Sequence, residues 1–421
     1  MQPHKLNAER LPERMQRLFE RKKSLFWERE RENRALALFH QTAAHVPAYK
    51  DFLKKNRIRP EKIKTFADFQ AVPPINKQNY LRRYPPEKLI WGGKYAEGSY
   101  VWTATSGSTG TPYFFLRNEE LDARYSVIIE EFFRNAGFGS GSTLVILGFA
   151  MGIWSAGIMT YRAFEIAGKR LGRHVSIITP GVNKPVIFSA FEKLSPHFDH
   201  TVFVGYPPFV KDVVNEAVLS GIPIKNLGLK IYFAGETFAE PFRKYIASET
   251  GIKNRYRDIF NVYGSADLGA IAFETPSCAY IREQALRRKD IFHALFPNIE
   301  KAPTLLQYNA SYICFESVDS EILVTGDNAL PLVRYSISDH GGVFSAKDII
   351  ERLGSFNIGK HTLEKATKAK FRELPFVYVY ERSDFSTKLY GAIVYAENIR
   401  EGLGHPSLAN HVTGKFTMTT R

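Results

Sequence analysis

The stretch TVFVGYPPFVKDVVNEAVLSGIPIKNLGLKIYFAGETFAEPFRKYIASET, residues 201–250, decides the fold. Positions 201–204 read as a strand, 210–220 as a helix, 229–233 as a strand and 240–250 as a helix. Short apolar runs bounded by turn residues suit buried strands, and the longer mixed runs between them suit helices. The same alternation continues upstream. Asn118 can cap a helix over 119–136, whose Leu121, Tyr125, Ile128, Ile129 and Phe132 line one face. Then come a strand at 144–147, a helix at 154–167, a strand at 175–178 and a helix at 186–194. Strands alternating with helices predict a parallel, doubly wound α/β core. In such sheets ligands bind beyond the carboxyl ends of the strands.

Outside this core the texture changes. Residues 8–56 read as helical: Leu11, Met15, Leu18 and Phe19 recur near helical spacing, and Leu36, Leu38, Phe39 and Ala43 continue an apolar face. Pro73-Pro74 and Pro85-Pro86 mark turns around a short basic helix at 77–83. Past Asn261, short strands are expected at 312–316, 321–325 and 332–336, forming a β-rich subdomain that closes on the core. The expected organisation is a helical section over 1–95, an α/β core over 96–260, its β-rich completion over 261–380, and a further unit from 381 to 421.

Composition sets the class. The chain has 421 residues, 44% hydrophobic, 14% aromatic and 24% charged, which suits several packed cores and excludes a disordered chain. The formal net charge of +14 favours anionic ligands in general. Runs such as Arg21-Lys22-Lys23 and Lys54-Lys55-Asn56-Arg57 read as solvated helix faces. Without zinc-finger spacing or an arginine-rich tract, no nucleic-acid partner is expected. Cys278 and Cys314 are too few for a disulfide framework, so a reducing cytoplasm is the expected compartment. The polar N-terminus does not read as a signal peptide. Residues 135–161 carry no charged side chain, but glycines recur through them, so they read as a buried strand and a glycine-rich loop, not a membrane span.

Five segments carry chemistry. Thr105-Ser106-Gly107-Ser108-Thr109-Gly110-Thr111-Pro112 lies between two expected strands. Its glycines let backbone N–H groups approach a phosphate, and its hydroxyls add donors. It is not a Walker A loop, because Thr111 stands where that motif needs a lysine. Tyr232-Phe233-Ala234-Gly235-Glu236-Thr237 and Asn261-Val262-Tyr263-Gly264-Ser265-Ala266-Asp267 each fall where a strand hands over to a loop. Pro331-Leu332-Val333-Arg334-Tyr335, followed by Asp339, and Glu381-Arg382-Ser383-Asp384 complete the set.

In order and spacing these segments resemble the adenylate-forming superfamily, and within it the phenylacetate-CoA ligase family. Tyr206-Pro207-Pro208-Phe209, the run from Ala234-Gly235-Glu236 to Glu240-Pro241, and Pro47-Ala48-Tyr49 are similar to that family as well. The resemblance spans residues from about 10 to about 400 and implies ATP, Mg²⁺ and coenzyme A as ligands, with a small carboxylic acid as substrate. It implies that Ser106, Gly107, Ser108, Thr109, Gly110 and Thr111 hold the β- and γ-phosphates, and that Gly235 and Glu236 lie along the adenine. Tyr263 would stack near that base, with Gly264 and Ser265 by the α-phosphate. Asp339 would accept from the ribose hydroxyls, as an ionised carboxylate can at both oxygens. Arg382 would contact ribose or phosphate, Asp267 would bind Mg²⁺, and Asp384 would be the hinge of a C-terminal domain. Phe149, Met151 and Trp154, facing Tyr206 and Pro207, would line the acid pocket, which aromatic and apolar walls suit. A homodimer is common in the family.

The chain departs from the family at three places. Thr111 replaces a lysine, Ala266-Asp267 replaces Thr-Glu or Ser-Glu, and only about 40 residues follow the hinge. In the family a small domain continues there and carries a catalytic lysine near its end. The expectation here is a truncated domain, with Thr413-Gly414-Lys415-Phe416-Thr417 as an early strand and Lys388 as the candidate for the thioester step. Two alternatives stand beside an acid–CoA ligase: an adenylating enzyme with a different acceptor (amine, carrier or protein thiol), and a non-catalytic nucleotide-binding remnant.

Overall fold

The computed structural model describes residues 11–97, 99–104, 113–152, 155–297, 299–300, 302–382, 386–389, 392–395 and scattered positions between 399 and 416. Two strands, β1 (Val101–Ala104) and β2 (Phe114–Arg117), form an antiparallel hairpin with Ala104 opposite Phe114. The Ser/Thr/Gly loop lies between them, outside the described residues.

The parallel core follows as β3 (Thr143–Leu147), β4 (Val175–Ile178), β5 (His200–Gly205) and β6 (Leu229–Ala234), then β7 (Ile259–Ser265). Every residue of β3 is buried, as a strand covered on both faces requires. Helices Glu119–Asn135 and Ser155–Arg170 pack on one face, together with the N-terminal helices Leu11–Arg21 and Ser24–His45. Helices Lys184–Lys193, Pro207–Leu219 and Glu240–Thr250 pack on the other around Phe191, Phe203, Val213 and Ile246. Asn118 caps its helix as expected, its side chain accepting from the Leu121 amide at 3.1 Å. The expected N-terminal helical stretch is broken after Arg21 and again at Val46, beyond which Pro47 opens helix Pro47–Lys55.

After β7 the chain turns back into β8 (Gly269–Phe273), and β9 (Thr304–Gln307), β10 (Ile313–Val318), β11 (Glu321–Gly326), β12 (Leu332–Phe344) and β13 (Phe376–Arg382) follow. The expected β-rich completion is present, and its strands extend the core sheet. One sheet of eleven strands runs in the order β10-β11-β12-β13-β9-β8-β7-β6-β5-β3-β4. It is parallel from β4 to β7 and antiparallel from β7 to β10. The same region also holds helices Pro276–Arg287, Lys289–Leu295, Ala346–Gly354 and Lys360–Thr367, which the strand pattern did not suggest. They build a third core with Ile281, Leu295, Ile349, Leu363 and Phe376. A small ribbon of β14 (Ser386–Leu389) and β15 (Ala392–Tyr395) follows β13. Among the described residues no helix is long and apolar enough to cross a membrane.

Candidate active site

The site forms where the sheet changes from parallel to antiparallel. There β7 ends in Tyr263, Gly264 and Ser265, so this motif lies inside the strand end and not in the loop after it. The pairing with β8 is irregular between Tyr263 and Gly264. A Cβ on Gly264 would sit 2.6 Å from the Gly269 carbonyl oxygen, so only glycine lets the two strands close here. The Ser265 hydroxyl accepts from the Leu268 amide at 3.2 Å and folds the turn that carries Asp267.

Asp267 and Asp339 are each only 4% exposed. Each is held by a tyrosine. The Tyr335 hydroxyl donates to Asp267 Oδ2 at 2.6 Å, and the Tyr263 hydroxyl donates to Asp339 Oδ2. Asn328 donates to the Asp267 backbone carbonyl at 2.7 Å and fixes the turn from the other side. The Tyr263 ring lies 6.5 Å from that of Phe315, nearly parallel to it. Asp339 pairs with Arg382 across β12 and β13, so two of the expected nucleotide residues share one register position.

The neighbouring residues of the Arg334-Tyr335 pair point to different tasks. Arg334 is buried in the left-handed backbone region, with φ of 49°. Its guanidinium turns away from Asp267 to the Glu316 carboxylate at 3.2 Å and to the Val72 carbonyl. A non-glycine residue held in this region costs about 1–3 kcal/mol, and such strain clusters at functional sites. The ion pair with Glu316 and the amide bond to Thr325 Oγ1 at 2.8 Å hold it there. Tyr335 can therefore face Asp267 while Arg334 ties β12 to the N-terminal section.

One strand over, β6 delivers Gly235 and Glu236. Gly235 has φ of 86°, and a Cβ there would lie 2.5 Å from Tyr206 Cε1. Tyr206 packs edge-on against Phe149 with ring centres 4.8 Å apart. Burial, reinforced by the Glu236 charge, pushes the Tyr206 hydroxyl up from its ordinary pKa. Phe149 is fully buried, and Pro207 opens helix Pro207–Leu219. Met151 packs on the next helix, where a Cβ on Gly157 would come 2.8 Å from its sulfur. The structure thus brings Phe149, Tyr206, Pro207, Gly235 and Glu236 into one wall.

Several expected residues lie outside the described ones: Ser106, Gly107, Ser108, Thr109, Gly110 and Thr111, Trp154, and Asp384. Arg382 ends β13 and Lys388 lies on β14. Among the described residues, no group of three or more His, Cys, Asp or Glu side chains could hold a metal by itself. A single buried carboxylate such as Asp267 fits Mg²⁺ that arrives with substrate phosphates and keeps most of its waters. Both cysteines are free and buried. Three participants escaped the motif reading: Tyr335 as the partner of Asp267, Asn328, and Lys77, whose ammonium lies 3.9 Å from Asp267 Oδ2.

No protein-family model and no curated protein sequence matches the chain. Solved structures do. A 2-hydroxyisobutyryl-CoA ligase in the postadenylation state superposes with a TM-score of 0.64 at 14% identity, over 88% of this chain and 71% of that one. The same ligase in an open conformation, with 2-HIB-AMP and CoA, gives 0.62 at 16% identity, over 88% and 78%. An acyl acid amido synthetase in complex with 2,4-DB gives 0.50 at 11% identity, over 89% and 73%. With its strand-end site at the centre of a half-parallel sheet, this chain has the fold of the adenylate-forming enzymes.

Proposed function

We propose that this chain binds ATP with Mg²⁺, activates an aryl or acyl carboxylic acid as an acyl-AMP, and passes the acyl group to coenzyme A. One observation carries the reading. Two buried carboxylates, Asp267 and Asp339, each held by a tyrosine hydroxyl, bracket the strand end 263–265 in a fold shared with an acyl-CoA ligase. The Tyr206-Pro207-Pro208-Phe209 segment supports the phenylacetate-CoA ligase family as the subgroup.

In this reading Asp339 takes the ribose hydroxyls, with its orientation set by Tyr263. Gly235 and Glu236 lie along the base, and Gly264 and Ser265 lie by the α-phosphate. Residues 106–111, with Ser106 and Thr109 foremost, would hold the β- and γ-phosphates. A carboxylate oxygen of the acid attacks the α-phosphorus. The bond from that phosphorus to the bridging oxygen breaks, and its electron pair leaves with pyrophosphate. No proton has to be removed from the ionised acid, so the protein's work is alignment and charge neutralisation. Mg²⁺ supplies part of that charge when bound. Asp267 would hold it, and Tyr335 keeps that carboxylate turned toward the site. Phe149, Met151, Trp154, Tyr206 and Pro207 would enclose the acid. Arg382 and Lys388, on either side of the Asp384 hinge, would serve the second half-reaction. We place the enzyme in the cytoplasm, where Cys278 and Cys314 stay reduced.

A second reading keeps the adenylation and changes the acceptor to an amine. The likeness to an acyl acid amido synthetase favours it. Pyrophosphate release, measured with ATP and Mg²⁺ across aryl and short-chain acids with and without CoA, separates the readings. Release that depends on one acid class and rises with CoA supports the ligase. Release with acid but indifferent to CoA supports the other acceptor. ATP binding without release from any acid would leave a nucleotide-binding protein and overturn both.

A further inference from the structure

We propose that Lys77, from the N-terminal section, is a phosphate-binding residue of the active site, its ammonium neutralising the pyrophosphate as it leaves. The inference rests on the adenylation reading and adds a residue to it.

Lys77 opens a helical turn, Lys77–Leu81, whose backbone is fixed at its start. The Asn76 side chain accepts from the Asn79 amide, and the Asn79 side chain accepts from the Asn76 amide, both at 2.7 Å. Two residues earlier, Ile75 is locked onto β12. Its amide donates to the Arg334 carbonyl at 3.1 Å, and its carbonyl accepts from the Ser336 amide at 2.8 Å. Between those partners sits Tyr335, which holds Asp267. A closed path therefore runs from Asp267 through Tyr335 and Ile75 to Lys77 and back to Asp267. The same turn is tied to the phosphate-loop hairpin: the Tyr113 hydroxyl, just past that loop, donates to the Leu81 carbonyl at 3.2 Å.

The distance argues for a ligand. At 3.9 Å from Asp267 Oδ2 the Lys77 ammonium is too far to hydrogen-bond that carboxylate. Where a lysine on this chain does bond a carboxylate it closes further, as Lys55 does on Asp51 at 2.6 Å and Lys169 on Glu165 at 2.7 Å. The Lys77 side chain is 41% exposed, whereas the carboxylate it faces is buried. An ammonium at the rim of a buried acid, on a stem whose root is fixed and whose three donors can turn, is placed for an anion that enters from solvent. Residues 105–112 contain no lysine or arginine, so the hairpin loop itself brings no cation to that anion.

The test uses the full chain, with Mg²⁺ and without acid, and measures ATP and AMP affinities by calorimetry for wild type, Lys77→Met and Lys77→Arg. Losing one charge-assisted hydrogen bond to phosphate corresponds to about a 10-fold loss of ATP affinity. AMP affinity is expected to be unchanged, because AMP lacks the departing phosphates. Arg should restore most of the ATP affinity. A Met variant that binds ATP like wild type, or that loses AMP and ATP affinity alike, would overturn the assignment while leaving the adenylation reading intact. A wild-type chain with no ATP affinity would overturn the adenylation reading, and this one with it. A purely structural salt bridge would lower thermal stability without separating the two nucleotides.

Discussion

Replacing Gly235 with alanine tests how the turn after β6 packs on Tyr206. Two penalties meet at this position. Its φ of 86° is a region that L side chains rarely adopt, which costs about 1–2 kcal/mol. The new methyl would also lie 2.5 Å from Tyr206 Cε1. Tyr206 cannot swing away cheaply, because its ring packs on Phe149 at 4.8 Å. Forcing extra volume into such packing costs about 1–3 kcal/mol. The Gly235→Ala variant should therefore lose about 2–5 kcal/mol of stability and bind ATP about 10-fold more weakly as the 234–237 turn shifts. The sharper readout is a double-mutant cycle with Tyr206→Ala. Without the ring the steric share vanishes, and alanine at 235 should cost only the backbone share. A coupling of about 1–3 kcal/mol is expected in the stability from denaturant unfolding, with the same sign in ATP affinity. Strict additivity would mean that Tyr206 does not back this turn, and would refute the reasoning.

Asp339→Ala should weaken ATP binding by about 10- to 100-fold, the scale of losing hydrogen bonds to a charged acceptor; titration calorimetry that finds unchanged affinity would remove the ribose assignment. Asp122 gives a pH effect. Burial, the largest influence, pushes its carboxyl up to about 6 despite Arg117 at 3.0 Å and Arg162 nearby. A folded pKa above the unfolded one contributes stability that is full below about pH 4 and is lost as pH rises through about 6. The difference in unfolding free energy between wild type and Asp122→Asn, from urea titrations, should therefore move against the wild type between pH 4 and 7, by up to about 3 kcal/mol; a difference that is flat with pH would contradict the buried environment at the foot of the β1–β2 hairpin.

The parallel half of the sheet was legible because each of its strands and helices announces itself locally. The runs at 144–147, 175–178 and 229–233 recur as β3, β4 and β6 within a residue of the expected ends. Two of the motifs fall where a strand hands over to a loop, as their order suggests: Tyr263 near the end of β7 and Gly235 just past β6, whereas Asp339 lies within β12. What stayed hidden depends on contacts between distant segments. Nothing near Tyr335 announces that its hydroxyl reaches Asp267, 68 positions away. Lys77 read only as the start of a short basic helix, and the docking of Ile75 on β12 gives it a target. The helices at 276–295 and 346–367 were missed because they are short and their burial is set by tertiary packing against Phe376 and its neighbours. The continuity of the sheet was hidden for a similar reason: strand order reflects pairing, and pairing leaves little trace in periodicity.

The position of β13 bears on how this chain can be made. It is the last strand in sequence to join the large sheet, yet it lies inside it, between β12 and β9. During synthesis β9 and β12 leave the ribosome well before residues 376–382 do. Until those residues emerge, two long-range edges face each other unsealed, and open edges invite pairing with other chains. The strands of the parallel half are all complete by residue 265, so their pairing can begin first. A nascent chain stalled after β12 should therefore hold a nearly finished parallel half and a sticky, incomplete antiparallel half, and chaperone demand should peak in that window. The strand that relieves it is also the one that brings Arg382 opposite Asp339, so closing the sheet and assembling this side of the candidate site are a single event.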